Sequence, residues 1–303
     1  NSFKSLTKNE DHQISNDSIT ILPMAGLGSR FLKEGYSTAK PLIEVSGKPM
    51  AFQAMNDLPK GDLQIFVIRN DMPQNNNLES KISSTFNNSK IVRIDSISSG
   101  QAVTVLKGIN SIKSNHSSLK SWCTVGACDS GSIYSKKKLQ ELYEDENIDV
   151  LVWGIRGYPN AKRYPNMYGW IEEENSYIKS ISVKKPLKDP ENDLIVIGTF
   201  SFKNVLLLEE SIKHLIKRDG KVNNEFYLDS CINDSIEMGL NCRVFEVDHF
   251  LCWGTPNDLN TFNYWQSTFH KWSSHPYKIE LDNRVNNDSI QLLTMKYKEK
   301  YRD

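Results

Sequence analysis

The residues best suited to chemistry come early, in Leu22-Pro23-Met24-Ala25-Gly26-Leu27-Gly28-Ser29-Arg30. Two glycines separated by one residue let a backbone turn tightly and bring its N–H groups up to phosphate oxygens. The place where a dinucleotide fingerprint needs its third glycine is Phe31, and the chain lacks the Gly-Lys-Ser/Thr that a P-loop requires. Instead it places Arg30 directly after the loop and, in Ala39-Lys40-Pro41-Leu42, a lysine. One guanidinium and one ammonium delivered to a glycine nest suit a triphosphate. On spacing alone, an ordinary strand-to-helix turn with surface cations fits equally well. Further along, Asp129 stands after an apolar run in Gly126-Ala127-Cys128-Asp129-Ser130-Gly131, where it could hold a hard cation or cap a helix. Glu225 and Asp229 are four apart and share a face of an expected helix. The histidines show no ligand spacing.

Such groups need a scaffold. Ser18–Leu22, Leu63–Ile68, Trp122–Val125 and Val150–Ile155 are short apolar runs of the kind that form buried strands. Met50–Leu58 and Gln101–Ile112 carry apolar residues at helical spacing between them, and the alternation predicts an α/β domain with a mostly parallel sheet. Trp170–Ile171, Tyr177–Val183 and Leu194–Phe202 come next as strands with hardly any helix between, which predicts an antiparallel excursion. Helices are expected at Val205–Lys217, Glu225–Met238 and after Pro256. Residues 1–17 are polar and aperiodic, a terminus or linker, and the polar stretch at the other end reads as an appendage over 266–303, leaving 18–265 as the main domain.

Bulk properties narrow the partners. Lys plus Arg and Asp plus Glu are equal at 37 each, which argues against a general nucleic-acid or membrane-surface binder while allowing a local basic pocket. The 5 cysteines form no Cys-x-x-Cys pair, and their odd number, with no signal-like segment, fits a reducing cytoplasm. No apolar run approaches the roughly 20 residues that cross a bilayer.

The glycine loop, Lys40-Pro41-Leu42-Ile43 and Gly47-Lys48-Pro49-Met50 together resemble the N-terminal signature of the sugar-nucleotide pyrophosphorylase (NTP-transferase, nucleotidyltransferase) superfamily. The resemblance continues. Ser99-Gly100-Gln101-Ala102 is similar to the segment that contacts the nucleobase, Asp129 to the magnesium-binding aspartate, and Ser182-Val183-Lys184-Lys185-Pro186 to a Glu-Lys-Pro strand end. Gly198-Thr199-Phe200, Asn224-Glu225-Phe226-Tyr227-Leu228-Asp229 and Trp253-Gly254-Thr255-Pro256-Asn257-Asp258-Leu259 are similar to elements that line and close the acceptor pocket. This resemblance implies a Rossmann-like, mostly parallel sheet flanked by helices, the GT-A-like nucleotidyltransferase fold, with an antiparallel acceptor-binding subdomain. It implies Mg²⁺ as cofactor, and as partners an NTP (CTP, UTP or dTTP) and a phosphorylated small molecule; a homo-oligomer is left open. In its terms Met24, Ala25, Gly26, Gly28, Ser29, Gly100 and Gln101 bind the nucleotide, and Arg30, Lys40 and Lys185 are catalytic. Gly169, Lys184, Gly198 and Glu225 meet the acceptor, and Asp129 holds the metal.

Two departures stand out. Where sugar-specific enzymes of this superfamily carry an acid before the lysine of Glu-Lys-Pro, this chain has Lys184. That change favours an acceptor with extra negative charge, or one without the usual hydroxyl array, as in the branch that makes CDP-linked alcohols, amines or phosphonates. Where the late motif reads Asp-x-Gly-Thr, with the Asp a second metal ligand, the register here gives Cys252-Trp253-Gly254-Thr255. A neutral thiol is a poor magnesium ligand, so either Asp248 substitutes or Asp129 serves alone. Two other readings compete. A GT-A glycosyltransferase usually shows Asp-x-Asp, but the second position after Asp129 is Gly131. A nucleotide-binding sensor without turnover is kept in play by Cys252. A role in surface-glycan biosynthesis rests on analogy only.

Overall fold

The structure, a computed structural model, describes residues 18–112 and 120–300; the polar stretch 1–17 lies outside them. Strand β1 (Ile19–Pro23), buried throughout, runs into the glycine loop, which leads to a short helix α1 (Ser29–Lys33). A 3₁₀ turn at Lys40–Leu42 leads to a small hairpin of β2 (Glu44–Val45) and β3 (Lys48–Pro49). Helix α2 (Met50–Asp57), β4 (Leu63–Arg69), α3 (Asn75–Thr85), β5 (Ser89–Ile94), α4 (Gln101–Ile109) and β6 (Cys123–Val125) then alternate. After them come β7 (Ser130–Ile133), α5 (Lys136–Glu144), β8 (Val150–Ile155), α6 (Pro159–Arg163), β9 (Gly169–Glu174), β10 (Tyr177–Val183) and β11 (Leu194–Phe202). The chain continues through α7 (Val205–Lys217), α8 (Leu228–Glu237), β12 (Cys242–Glu246), β13 (His249–Cys252), α9 (Pro256–Lys271) and α10 (Ile290–Lys300).

The main sheet runs β5-β4-β1-β6-β11-β8-β12-β10-β9, and β9 also pairs with β11. The expectation of a mostly parallel sheet is corrected by this order. Pairings among β5, β4, β1 and β6 are parallel, whereas β11 is antiparallel to β6, β8 and β9, and β10 is antiparallel to β9 and β12. The strands β11, β8, β12, β10 and β9 therefore close into a ring fused to a parallel half. Two local features make the closure. Asn175 and Ser176, with φ of 52° and 67°, form the two-residue turn that folds β10 back on β9. Gly198, at φ 81°, sits where the β11 register shifts between Val196 and Phe200, so one strand bends to meet both β8 and β9. The antiparallel region is thus part of the same sheet.

Side-chain alternation covers both faces of the parallel half. Ile65 and Val67 join a core with Ala102, Val105 and Ile109 of α4, while Phe66 and Ile68 join one with Met55 of α2 and Leu78 and Ile82 of α3. At the other end of the chain, α9 runs straight through position 265. The segment after it packs back on the body: Gln53 Nε2 donates to the Arg284 carbonyl (2.6 Å), and Asn286 N donates to the Ser46 carbonyl (3.1 Å). Among the described residues no helix is long and apolar enough to cross a membrane.

Candidate active site

The glycine loop leaves β1 with Met24 N donating to the Val67 carbonyl (2.8 Å), and Arg69 Nη1 holds the Ala25 carbonyl at 2.9 Å. Gly28 adopts φ 64° as the residue before α1, and a Cβ there would lie 3.1 Å from the Lys40 Cβ. The loop and the Lys40 turn are therefore packed against each other through a position that only glycine fills without strain. Gly26 is exposed with nothing near its missing Cβ, which leaves its backbone open to a ligand.

Across from the loop, Gly100 precedes α4 at φ 135°, and a Cβ there would lie 2.4 Å from Phe226 N. Phe226 N donates to the Ser99 carbonyl (2.8 Å) and Ala102 N to the Phe226 carbonyl (3.0 Å), so the segment around Gly100 is laced to the segment carrying Glu225. Between these walls lies a cleft of about 250 Å³. It brings together Met24, Ala25, Gly26, Gly28, Lys40, Gly100, Gln101, Asp129 and Glu225, nine of the residues singled out from sequence. Ser98, Thr104, Ala127 and Cys128 line it as well; nothing in their types marks a binding role, so sequence alone does not single them out.

Asp129 Oδ2 accepts from Lys40 Nζ at 2.5 Å, and the two side chains are 26% and 17% exposed. Burial alone would push the lysine down and the carboxyl up. The opposite charge and the hydrogen bond outweigh it, raising the Lys40 pKa and lowering that of Asp129, to which Arg30 also contributes. Both groups are thus held charged. Arg30 is exposed, yet its field also acts on Lys184, Tyr168 and Tyr227, so it faces the rim between cleft and ring. Ser29 beside it is exposed and contributes no described contact.

At the ring side, the lysine that faces the site is Lys184. Its ammonium donates to the Met167 carbonyl, lies 5.7 Å from the centre of the Tyr227 ring, and interacts with Asp229 and Glu225. Lys185 is exposed, and no described side-chain contact brings it to the cleft. The reason is backbone geometry: Lys184, at φ 59°, is in the left-handed region and breaks the strand alternation that would have aimed its successor inward. Gly169 is buried, and a Cβ there would lie 2.3 Å from Asp229 Oδ2, so its glycine makes room for that carboxylate. Burial pushes the Asp229 carboxyl up to about 6 against the pull of Lys184. Gly198 borders Ala127 at the junction of ring and cleft.

The expectation for Asp248 is corrected. β13 runs antiparallel to β7, with Trp253 N on the Asp129 carbonyl at one end (2.9 Å) and Asp248 N on the Ile133 carbonyl at the other (2.9 Å). Asp248 stands five residues along the strand from the position that faces Asp129, about 17 Å. The second carboxylate nearer Asp129 is Asp258, which stands inside the late motif but has no role legible from sequence. Thr255 Oγ1 donates to its Oδ2 (2.7 Å), Asn160 Nδ2 donates to its Oδ1 (3.1 Å), and Cys252 Sγ lies 3.7 Å away. Burial and the neighbouring acids raise the Cys252 thiol to about 12, so it stays protonated. As a donor set for Mg²⁺, the cleft offers the carboxylates of Asp129 and Glu225, few enough to fit an ion held mostly by substrate phosphates. Elsewhere, His214, Asp234 and Glu237 cluster closely enough for a metal, but Arg218 already donates to both Asp234 oxygens.

No family model matches the sequence, and no curated protein matches it. Solved structures do. The nucleoside-diphosphate-sugar pyrophosphorylase from Vibrio cholerae RC9 superposes with a TM-score of 0.63 at 19% identity, covering 80% of this chain and 98% of its own. The inositol-1-phosphate CTP transferase from T. maritima gives 0.62 at 12% identity, covering 96% and 100%. The chain has the fold of the sugar-nucleotide pyrophosphorylase and nucleotidyltransferase superfamily.

Proposed function

We propose that this protein is a nucleotidyltransferase that couples an NTP (CTP, UTP or dTTP) to a phosphorylated small molecule and releases pyrophosphate. The observation that carries the reading is the cleft in which the glycine loop, Lys40, Asp129 and the Gly100 segment meet. A phosphate oxygen of the acceptor attacks the α-phosphorus; the bond from that phosphorus to the bridging oxygen breaks, and pyrophosphate leaves with the electron pair. A phosphate oxygen is already anionic at neutral pH, so no general base is needed. The work is to align two anions that repel and to neutralise charge as it moves. Backbone N–H groups around Gly26 and Gly28, with Arg30, hold the departing phosphates, and Lys40 steadies the α-phosphate. Gly100 and Gln101 seat the base. Mg²⁺ held by Asp129 and the nucleotide's own phosphates would supply further charge neutralisation.

On the ring side, Lys184 takes the acceptor-phosphate role that the motif assigns to Lys185. The Lys184 ammonium is the cation on the acceptor side, while Glu225 and Asp229 offer acceptors for hydroxyl or ammonium groups. This charge pattern suits an acceptor other than a plain hexose 1-phosphate, such as phosphocholine or a phosphonate.

The test is pyrophosphate release with Mg²⁺, crossing CTP, UTP and dTTP against hexose 1-phosphates, phosphocholine and phosphonates. One productive pair abolished by Asp129→Ala supports the reading. A second reading, a nucleotide sensor without turnover, is favoured by the protonated thiol of Cys252 where a second acid would stand. Tight nucleotide binding with no pyrophosphate from any pair would decide for it.

A further inference from the structure

Arg69 closes β4 and belongs to none of the motifs that mark the site. The parallel register sets Pro23 beside Val67, so two residues further on Ala25 comes to stand beside Arg69. The guanidinium is buried, with the residue only 5% exposed, and lies behind the glycine loop, outside the cleft lining. Its Nη1 donates to the Ala25 carbonyl (2.9 Å), and its Nε donates to Asp71 Oδ1 (2.6 Å). The Asp71 side chain is 65% exposed, and a surface pair of that kind contributes little against the cost of burying a charge. An apolar side chain would fill the same space. What it could not do is hold the carbonyl.

We infer that Arg69 is a positioning residue for the phosphate cradle, fixing the direction of the Ala25–Gly26 peptide; this rests on the nucleotide-binding reading of the cleft. In a planar trans peptide the C=O and N–H point opposite ways. With the carbonyl drawn back onto the buried guanidinium, the Gly26 N–H is turned forward, where Ala25 and Gly26 line the cleft. A charged donor on the carbonyl also polarises the peptide, which makes that N–H a stronger donor to phosphate. Gly26 has nothing near its missing Cβ, so without the guanidinium the peptide is free to rotate. The connection that follows Arg69 braces the other two walls. Gln74 Oε1 accepts from Ala39 N (3.1 Å) at the start of the Lys40 turn, and Asn70 Nδ2 donates to Asp95 Oδ1 (2.8 Å) on the way to Gly100. Asn75 Nδ2 ties the bend together by donating to the carbonyls of Arg69 (2.7 Å) and Asn70 (2.9 Å).

Calorimetric titration of the full chain with CTP, UTP and dTTP, and with the matching monophosphates, tests this. The proposed function puts the departing phosphates at this loop and the α-phosphate at Lys40, so a triphosphate feels the change and a monophosphate does not. In Arg69→Met, which keeps apolar bulk and removes the donors, affinity for the triphosphate that wild type binds is expected to fall at least tenfold. That is the size of one charge-assisted bond, and monophosphate affinity should change less than twofold. A side chain that only held the fold together would weaken both alike. Arg69→Lys, a milder change should Arg69→Met fail to fold, is expected to show the same selective loss at about threefold. Asp71→Asn leaves the carbonyl held and should change neither affinity. Wild-type affinity in the Arg69 variants, or equal losses for triphosphate and monophosphate, overturns this inference alone. Failure of wild type to bind any triphosphate overturns the nucleotide reading and takes this inference with it. The readout needs no turnover, so silence in the pyrophosphate assay beside a selective loss would end the catalytic reading and leave the role of Arg69 standing.

Discussion

The two halves of the site are built on different principles. On the nucleotide side, the glycine loop comes after β1, the Gly100 segment after β5 and Asp129 after β6, so three functional segments leave the carboxyl ends of parallel strands. Topology alone gathers them, as it does in open α/β sheets generally. Their working groups are largely backbone, held by glycines at positive φ. On the acceptor side, the closed ring offers side chains: Lys184 at the end of β10, Asp229 in the first turn of α8, and Tyr168 beside Gly169. Backbone cradles suit a ligand part that never varies, the triphosphate. Side chains of opposing charge suit a part that differs from enzyme to enzyme.

That contrast can be broken or sharpened by measurement. The largest effect is expected from Asp129→Asn, which keeps shape and removes the charge paired with Lys40; pyrophosphate release should fall about 10²- to 10³-fold. Next comes the platform beneath the cleft. Asp57 is buried behind β7, its Oδ2 2.1 Å from where a Gly131 Cβ would stand, with Arg284 Nε on its Oδ1 at 3.1 Å. Burial, against the pull of Arg284, raises its carboxyl from 3.8 to about 6. Between those pH values the folded chain holds a proton that the unfolded chain has released, so Asp57 makes stability fall as pH rises from about 4 to about 6. The loss is on the order of 3 kcal/mol. Chemical denaturation across that range should show it, and Asp57→Asn should flatten it.

Gly100→Ala comes third, since its Cβ would collide with the Phe226 backbone; a loss of about 2 kcal/mol in stability is expected, read by urea titration. On the acceptor side effects should be smaller and confined to one substrate. Lys184→Ala should raise the acceptor KM about tenfold with the NTP KM unchanged, the size of one charge-assisted bond. Lys185→Ala should change neither more than about twofold, as for an exposed charge. Reversal of these last two would restore the sequence register and undo the account of the acceptor half.

Legibility in the sequence divides along the same line. The parallel half is legible because glycine positions, buried β runs and helices such as Met50–Asp57 are local properties. The ring is not, because closure depends on β9 meeting β11 across a bend at Gly198, a long-range pairing that no periodicity encodes. Helix α3 is hidden for a related reason: in its Asn- and Ser-rich sequence only Leu78 and Ile82 are buried. Asp248 and Lys185 show one limit of a motif. A motif gives order along the chain, but a left-handed residue or a strand's direction decides where the side chain goes.

The lacing of Phe226 to Ser99 and Ala102 has a kinetic consequence. These bonds join segments more than a hundred residues apart, which in the proposed function would seat the base and carry Glu225 toward the acceptor. Neither can relax without loosening the other, so a nucleotide that stiffens the first shoulder also assembles the second. If the proposed function holds, such a device is expected to impose an order of arrival, the triphosphate first and the acceptor only afterwards. Initial-rate patterns would then be ordered sequential, with product inhibition by pyrophosphate noncompetitive toward the nucleotide.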